Sequence, residues 1–414
     1  DNVSIGGSRE TTCAILTDDS IKCWGNNNYG QVGDGSVGTS RYVSTNVSMP
    51  SGKQGRSLSH GSQANHLCAI MTDGSLYCWG YNYYGQIGDG TTCTGGSYLN
   101  GCNGQTGRSS PIEVSLPTGR TATAVSTGEY HTCAILDDGS VWCWGYNDNG
   151  ELGVGNMSSG TWAYSPSLTL LPAGRTATAI ASGVGHTCAV LDDNSMVCWG
   201  RNSYGKLGNG DSASRSSPTY VTGSDGSVSA LQFSSVAAGY DHTCSITTDN
   251  DMYCWGNDNQ EQLGNVYTSQ WASYHPLLVN LPAAREAMGV IAGGYHTCAI
   301  LDDESMYCWG QDNDNRLNTE YNCNSNDYTN GCDADDRDIP APAIPPSGRS
   351  IVAAFAGSQY TCALIDNGGV YCFGYNGNGQ LGNGSSFGNG PSFVDFPVAV
   401  SLTTSDRDSD HDGV

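Results

Sequence analysis

Apolar and polar positions alternate along this chain in short bursts, separated by turns rich in Asp, Asn and Gly. One unit reads Cys133-Ala-Ile-Leu-Asp-Asp-Gly-Ser-Val-Trp-Cys143-Trp-Gly145. Alternation with a period of two marks a half-buried strand, so two β-arms flank Asp137-Asp138-Gly139. A three-residue hairpin loop ends on a left-handed residue, usually Gly or Asn. In seven copies that position reads Asp19, Gly74, Gly139, Asn194, Asn250, Glu304 and Gly368, with Glu304 the misfit. The register follows: 136 lies opposite 140, 135 opposite 141, and 133 opposite 143. Both cysteines then share a face with positions 135 and 141, which are apolar in every copy.

The copies are spaced by their cysteines. Seven pairs are C-x9-C: Cys13 and Cys23, Cys68 and Cys78, Cys133 and Cys143, Cys188 and Cys198, Cys244 and Cys254, Cys298 and Cys308, Cys362 and Cys372. Two more, Cys93 with Cys102 and Cys323 with Cys332, are C-x8-C and complete the 18 cysteines. Opposed strand positions lie within reach of a disulfide, which makes the C-x9-C pairing cross-strand and local to each repeat. Zinc ligand pairs sit closer in sequence, usually two to four residues apart. Disulfides on this scale imply an oxidising location outside the cytoplasm. The first cysteines of successive pairs lie 55, 65, 55, 56, 54 and 64 residues apart. The two long intervals hold the C-x8-C loops.

After each pair comes an aromatic–Gly step and an Asn/Gly turn, as in CWGNNNYGQVGDG from Cys23 and CFGYNGNGQLGNG from Cys372; the fifth and sixth copies are degraded. A further β-rich stretch follows (SPIEVSLP, HPLLVNLP), then AVSTGEYHTC or its equivalent. Each repeat is about four short strands, a sheet too small to stand alone. Seven such sheets close into a ring, so the fold class is all-β, a seven-bladed β-propeller of about 55-residue repeats with one hairpin disulfide per blade. A β-solenoid is the rival. The propeller is assigned to 1–402 and an acidic tail to 403–414.

The WGxNxxGQLGxG motif with a preceding HTCAIL, seen seven times over about residues 3–402, resembles the regulator of chromosome condensation repeat family. The resemblance implies a ring closed by pairing the first and last repeats. In the eukaryotic namesake it implies chromatin binding and nucleotide exchange on a small GTPase, which does not transfer to an acidic, disulfide-bonded chain. Secreted members of the fold, such as bacterial inhibitors of β-lactamase, imply a rigid protein-binding surface.

Composition sharpens the partner class. Forty acidic residues against 16 basic ones leave a net charge of −24, which repels nucleic acid and anionic membrane. No run of 18 apolar residues occurs, so no membrane insertion is expected. The chain begins at Asp1, and a mature product of a longer precursor is expected.

Candidate chemistry is sparse. Histidine stands two residues before the first cysteine in five repeats (His66, His131, His186, His242, His296), with Thr11 and Tyr360 in the others. The expectation is a bond from each His to backbone within its own blade; a metal or pH switch is the alternative. Arg120, Arg175, Arg285 and Arg349 stand 13 residues before the cysteine and Arg56 stands 12 before, and they are expected to reach Asp-rich turns between blades. The matches to GxSxG and GxGxxG lack the strand–helix context those motifs need. No catalytic constellation emerges and no enzyme is expected. Sequons occur at Asn2, Asn46, Asn156 and Asn383. Asp406, Asp408, Asp410 and Asp412 alternate like the start of a calcium loop, as in thrombospondin type 3 or dockerin-like repeats, against a plain acidic linker. Calcium there is the one cofactor considered, and none is required for the propeller. The C-x8-C loops share a tyrosine, Tyr98 and Tyr328, and an asparagine, Asn100 and Asn330, at matching places in repeats 2 and 6, and are the candidate binding loops.

The function expected is a non-catalytic extracellular or cell-surface module, recognising a protein or assembling with itself. The alternative is a glycan-binding propeller, lectin-like or adhesin, with Trp162 and Trp271 outside the repeated WG position as stacking platforms.

Overall fold

The computed structural model describes residues 4–94, 102, 106–224, 226–227, 230–265, 271–312, 315–319, 332–333, 336–346, 348–385 and 393–400. These residues form seven antiparallel sheets, each from one continuous stretch of chain: 4–46, 55–113, 122–168, 177–220, 233–278, 287–342 and 351–399. They are blades 1 to 7. Each has four strands in chain order, and blade 6 gains a two-residue strand, Cys332–Asp333, at its outer edge. The second strand of each blade touches the first strand of the next, blade 7 against blade 1 included, so the ring is closed and the solenoid is excluded. Among the described residues closure is by packing of whole blades, with no strand exchanged between the first and last.

The central hairpins have the expected register: Cys133 faces Cys143 and Ile135 faces Val141. Cys133, Ile135, Val141 and Cys143 join one core cluster, shared with Trp199 of the next blade. Seven hairpin bridges form, each within its own blade. Cys13 is bonded to Cys23, Cys68 to Cys78, Cys133 to Cys143 and Cys188 to Cys198. Cys244 is bonded to Cys254, Cys298 to Cys308 and Cys362 to Cys372. Their Cα separations are 4.0 to 4.1 Å, nearest to the roughly 4.5 Å of a non-hydrogen-bonded pair of opposed strand positions. Cys93 and Cys102 are bridged as well, with their Cα atoms 5.4 Å apart. Cys323, the expected partner of Cys332, lies outside the described residues.

All seven turn residues are left-handed, Glu304 (φ 64°) as fully as Gly139 (φ 75°). The reason is non-local. The carbonyl of this residue accepts the first N–H of the next blade: Gly74 accepts from Ala122, Gly139 from Ala177, Asn194 from Phe233 and Glu304 from Ile351. A left-handed residue aims that carbonyl outward across the junction, and the bond offsets the strain of Glu304.

Candidate interaction face

The junctions between blades hold the repeated motif together. In the Asn/Gly turn, the carbonyl of one residue accepts two bonds from the following blade. At Gln86 the donors are Trp144 Nε1 and Thr132 Oγ1, both at 2.8 Å. The same pattern runs from Gln262 to Trp309 and Thr297, and from Lys206 to Trp255 and Thr243. The Gly two residues after the acceptor packs on that Trp: a β-carbon at Gly88 would stand 2.6 Å from Trp144 Nε1. This is why WG and QLG recur together.

The histidines correct the expectation. Each reaches the Thr of the next blade rather than its own backbone: His66 to Thr132 (2.7 Å), His131 to Thr187 (2.8 Å), His186 to Thr243 (3.0 Å), His242 to Thr297 (3.0 Å) and His296 to Thr361 (2.9 Å). Where the Thr hydroxyl hydrogen is committed to the upstream carbonyl, Oγ1 must accept, so the proton sits on Nε2. Burial pushes His66, His131 and His242 down to about 3, and His186 and His296 well below the usual value. They are neutral latches spread round a ring. Among the described residues no group of three His, Cys, Asp or Glu is placed to hold a metal ion.

The arginines are half a correction. Arg120 does meet an Asp-rich turn, with Nη2 2.8 Å from Asp138 and Nη1 3.4 Å from Asp137, but the turn belongs to its own blade. Arg175 and Arg285 repeat the clip, and Arg349 lies 3.7 Å from Asp366. Only Arg56, of the five, crosses a junction, donating to the Ala122 carbonyl at 3.0 Å.

The wheel has two different ends. One carries the hairpin turns and arginine clips. The other, the loop rim, carries the connections from first to second and from third to fourth strand. The C-x8-C insertions belong to third-to-fourth connections of blades 2 and 6, hence to the loop rim. Tyr98, Asn100, Tyr328 and Asn330 themselves lie outside the described residues, as do Asp406, Asp408, Asp410 and Asp412. Arg108, paired with Asp89 at 2.5 Å, places its Nη1 3.4 Å from Cys102 Sγ and anchors the base of the first insertion.

An aromatic cluster spans blades 1 to 3 on this rim. Tyr29 and Tyr81 rings are 4.8 Å apart, Tyr84 and Tyr130 4.9 Å, Tyr84 and Tyr146 5.1 Å, and Tyr84 and Trp162 4.7 Å edge to face. All are half-buried. Burial raises the Tyr81 and Tyr146 hydroxyls to about 12, so they are protonated donors at neutral pH. Trp162 is among the sequence candidates. The tyrosines are not, although the YNYY run after Trp79 is a signal that could have found them. Trp271, on blade 5, is 77% exposed.

The axis is a small blind channel of about 210 Å³, walled by Val125, Ile180, Val236 and Val290. Blade 2 closes it at the loop rim. Its first-to-second connection is longer than the others and sends Gln63 across the axis, to where a β-carbon on Gly294 of blade 6 would meet Gln63 Nε2 at 2.9 Å. A helix long and apolar enough to cross a membrane is absent among the described residues.

Comparison with known proteins agrees with this geometry. The profile of the RCC1-like domain matches residues 1–270, and profiles of the RCC1 repeat match 249–300, 290–316, 351–380 and 367–406. The ultraviolet-B receptor UVR8 of Arabidopsis thaliana is 28% identical over 386 residues, covering 93% of this chain and 79% of the receptor. The human E3 ubiquitin-protein ligase HERC2 is 26% identical over 371 residues, 88% of this chain but 7% of the ligase. The solved complex of Kap60 with yeast RCC1 (Prp20) aligns at a TM-score of 0.76 and 16% identity, covering 97% of this chain and 85% of that one. With the profile spanning more than half its length and the motif latching every blade to the next, the chain belongs to the regulator of chromosome condensation (RCC1) repeat family.

Proposed function

We propose that this propeller is a non-catalytic binding module that works outside the reducing cell interior and recognises a protein through its loop rim. The observation that carries the reading is the half-buried aromatic cluster around Tyr84, built from blades 2 and 3, whose junction the His66–Thr132 latch holds, and extended through Tyr81 to Tyr29 of blade 1. Tyr and Trp on a rigid base are strong interface anchors because little rotamer freedom is lost on binding. The location is supported by the paired cysteines, and the charge of −24 argues for a protein rather than a nucleic acid as partner. In the same reading the tail aspartates Asp406 to Asp412 bind calcium, and self-assembly is the simplest protein partnership.

The test is capture from a cell-surface extract by the whole chain and by a double variant, Tyr84→Ala with Trp162→Ala. A partner held by the parent and lost by the variant, at an unchanged melting temperature, supports the reading. Capture that ignores the variant overturns it. The exposed Trp271 favours a second reading, glycan binding, which a glycan array checks directly.

A further inference from the structure

Two departures from the repeat meet at the junction of blades 3 and 4. The first concerns the residue that lends its carbonyl to the next blade. It is Gln31, Gln86, Gln262 and Gln380 in blades 1, 2, 5 and 7, but Glu151 in blade 3. In each case its side chain also accepts from the backbone N–H two residues earlier: Tyr84 to Gln86 at 3.0 Å, Asn149 to Glu151 at 2.9 Å. A neutral amide makes that bond elsewhere; what the carboxylate adds is its second oxygen, Oε1, which accepts from Asn149 Nδ2 at 2.7 Å and borders the space left at Gly185. Yet Glu151 is buried, and burial raises its pKa. Glu151 is not needed as the counter-ion of buried Lys206, whose Nζ already has Asp241 at 2.5 Å and the Val184 carbonyl at 2.7 Å.

The second departure is a missing side chain. The residue before the latch histidine is Tyr130, Asp241 and Tyr295 in blades 3, 5 and 6, but Gly185 in blade 4. A β-carbon there would stand 3.4 Å from Glu151 Oε1 and 3.2 Å from the Arg201 β-carbon. Its absence leaves a pocket of about 180 Å³ on the loop rim, lined by Tyr84, Glu129, Tyr130, Tyr146, Glu151 and Arg201. Pockets for small organic ligands usually run to about 300–1,000 Å³, so this one suits a single side chain.

The lining fixes the charge of the guest. Three tyrosine rings stand within 4.9 to 6.2 Å of one another, and such rings attract a cation over their faces. The Tyr146 hydroxyl donates to Asp148 at 3.0 Å, so its polar end is already satisfied. Two carboxylates line the pocket against one guanidinium, and Arg201 Nε is engaged by Ser203 Oγ at 3.0 Å. We propose that this pocket receives an arginine or lysine side chain of the protein bound on the loop rim. The inference rests on the reading of that rim as a protein-binding face and names the chemistry of the contact.

The test titrates the whole chain with a capped Gly-Arg-Gly peptide, a capped Gly-Lys-Gly peptide and the neutral citrulline analogue, following tyrosine fluorescence. The expected result is a saturable change with a cationic peptide and at least about tenfold weaker binding of the citrulline analogue. Glu151→Gln restores the residue used by four other blades. It should weaken the cationic peptide by at least about tenfold without lowering the melting temperature. Equal responses to charged and neutral peptides overturn the proposal. So does a Glu151→Gln variant that melts earlier but binds unchanged, which would assign the carboxylate to the fold. Partner capture lost in the Tyr84→Ala, Trp162→Ala double variant but kept in Glu151→Gln removes the pocket and leaves the rim reading standing.

Discussion

Two junctions of the wheel solve one problem by different chemistry. Between blades 5 and 6, a buried imidazole, His242, meets Thr297 at 3.0 Å. Between blades 1 and 2, both partners are changed together: Thr11 stands at the histidine position and Leu67 at the threonine position. Thr11 turns instead to the Asn26 carbonyl of its own blade. The main chains compensate by touching. Gly7 donates to the Ser59 carbonyl and accepts from Gly61, both at 3.1 Å, in a parallel bridge outside the regular ladders. Gly6 and Gly7 permit this, since a β-carbon on Gly6 would stand 2.8 Å from Leu58 Cβ and from the Ser59 carbonyl. The bridge itself is not peculiar to glycine, since His60 and Ser126 form one at the latched junction of blades 2 and 3; the close approach at Gly6 and Gly7 is what requires glycine. The lesson is that the repeated His and Thr are one way to register neighbouring blades, replaceable as a pair.

Acid should separate the two kinds of junction most strongly. The latch histidines are neutral in the fold, with pKa values near 3 for His66, His131 and His242 against 6.5 unfolded. The unfolded chain therefore binds protons more tightly. Stability is complete above pH 6.5 and falls as pH drops toward 3, by up to about 2 kcal/mol per histidine at pH 5. Urea unfolding at pH 7 and pH 5 checks this, and hydrogen exchange at pH 5 should show the blade 1–2 junction opening no sooner than the others. A flat profile between pH 7 and 5 would contradict the neutral latch.

Next in size is a pair of substitutions, one per junction. His242→Ala removes the latch and leaves a cavity, at a cost of about 2–4 kcal/mol. Gly7→Ala forces a β-carbon to 2.4 Å from the Thr11 carbonyl and 2.8 Å from the Phe355 ring. It should cost about 2 kcal/mol or more. Ala238, one of the axial residues in blade 5, already carries a β-carbon, so the glycine requirement is specific to blade 1. Chemical denaturation of both variants measures the difference.

The closing junction is intermediate. Tyr360 of blade 7 takes the histidine position, and its Oη lies 2.9 Å from Thr12 Oγ1 of blade 1. Tyr360→Phe keeps the packing and loses the bond, at about 1–2 kcal/mol, read from the shift in denaturation midpoint. Smallest of all is a solvent-exposed clip. Arg120→Ala breaks an exposed ion pair and should change stability by less than about 0.5 kcal/mol at physiological salt.

Local features were legible from the residues. The hairpin register, the Cys13–Cys23 type of bridge and the left-handed turn positions each depend on residues no more than about a dozen apart, so alternation and spacing suffice. The histidines were misread because their partners lie 55 to 66 positions away, and nothing in the local pattern names a Thr over a backbone carbonyl. Glu304 looked like a misfit because the bond to Ile351 that secures its carbonyl comes from another blade. The arginine clips were placed on the right chemistry and the wrong side of the junction.

By itself, then, the order of residues determined seven stapled sheets and their closure into a ring, because hairpins and covalent bridges are short-range and each sheet alone leaves its faces uncovered. Only the tertiary structure decided which residues meet across the junctions and which line the loop rim. Tyr29, Tyr84, Tyr146 and Trp162 come from three blades, and Glu151 gains its meaning only where Gly185 of the next blade leaves room beside it. Contacts of that kind are set by how blades dock, and docking depends on shape and buried polar pairing summed over the whole ring rather than on any one stretch of chain.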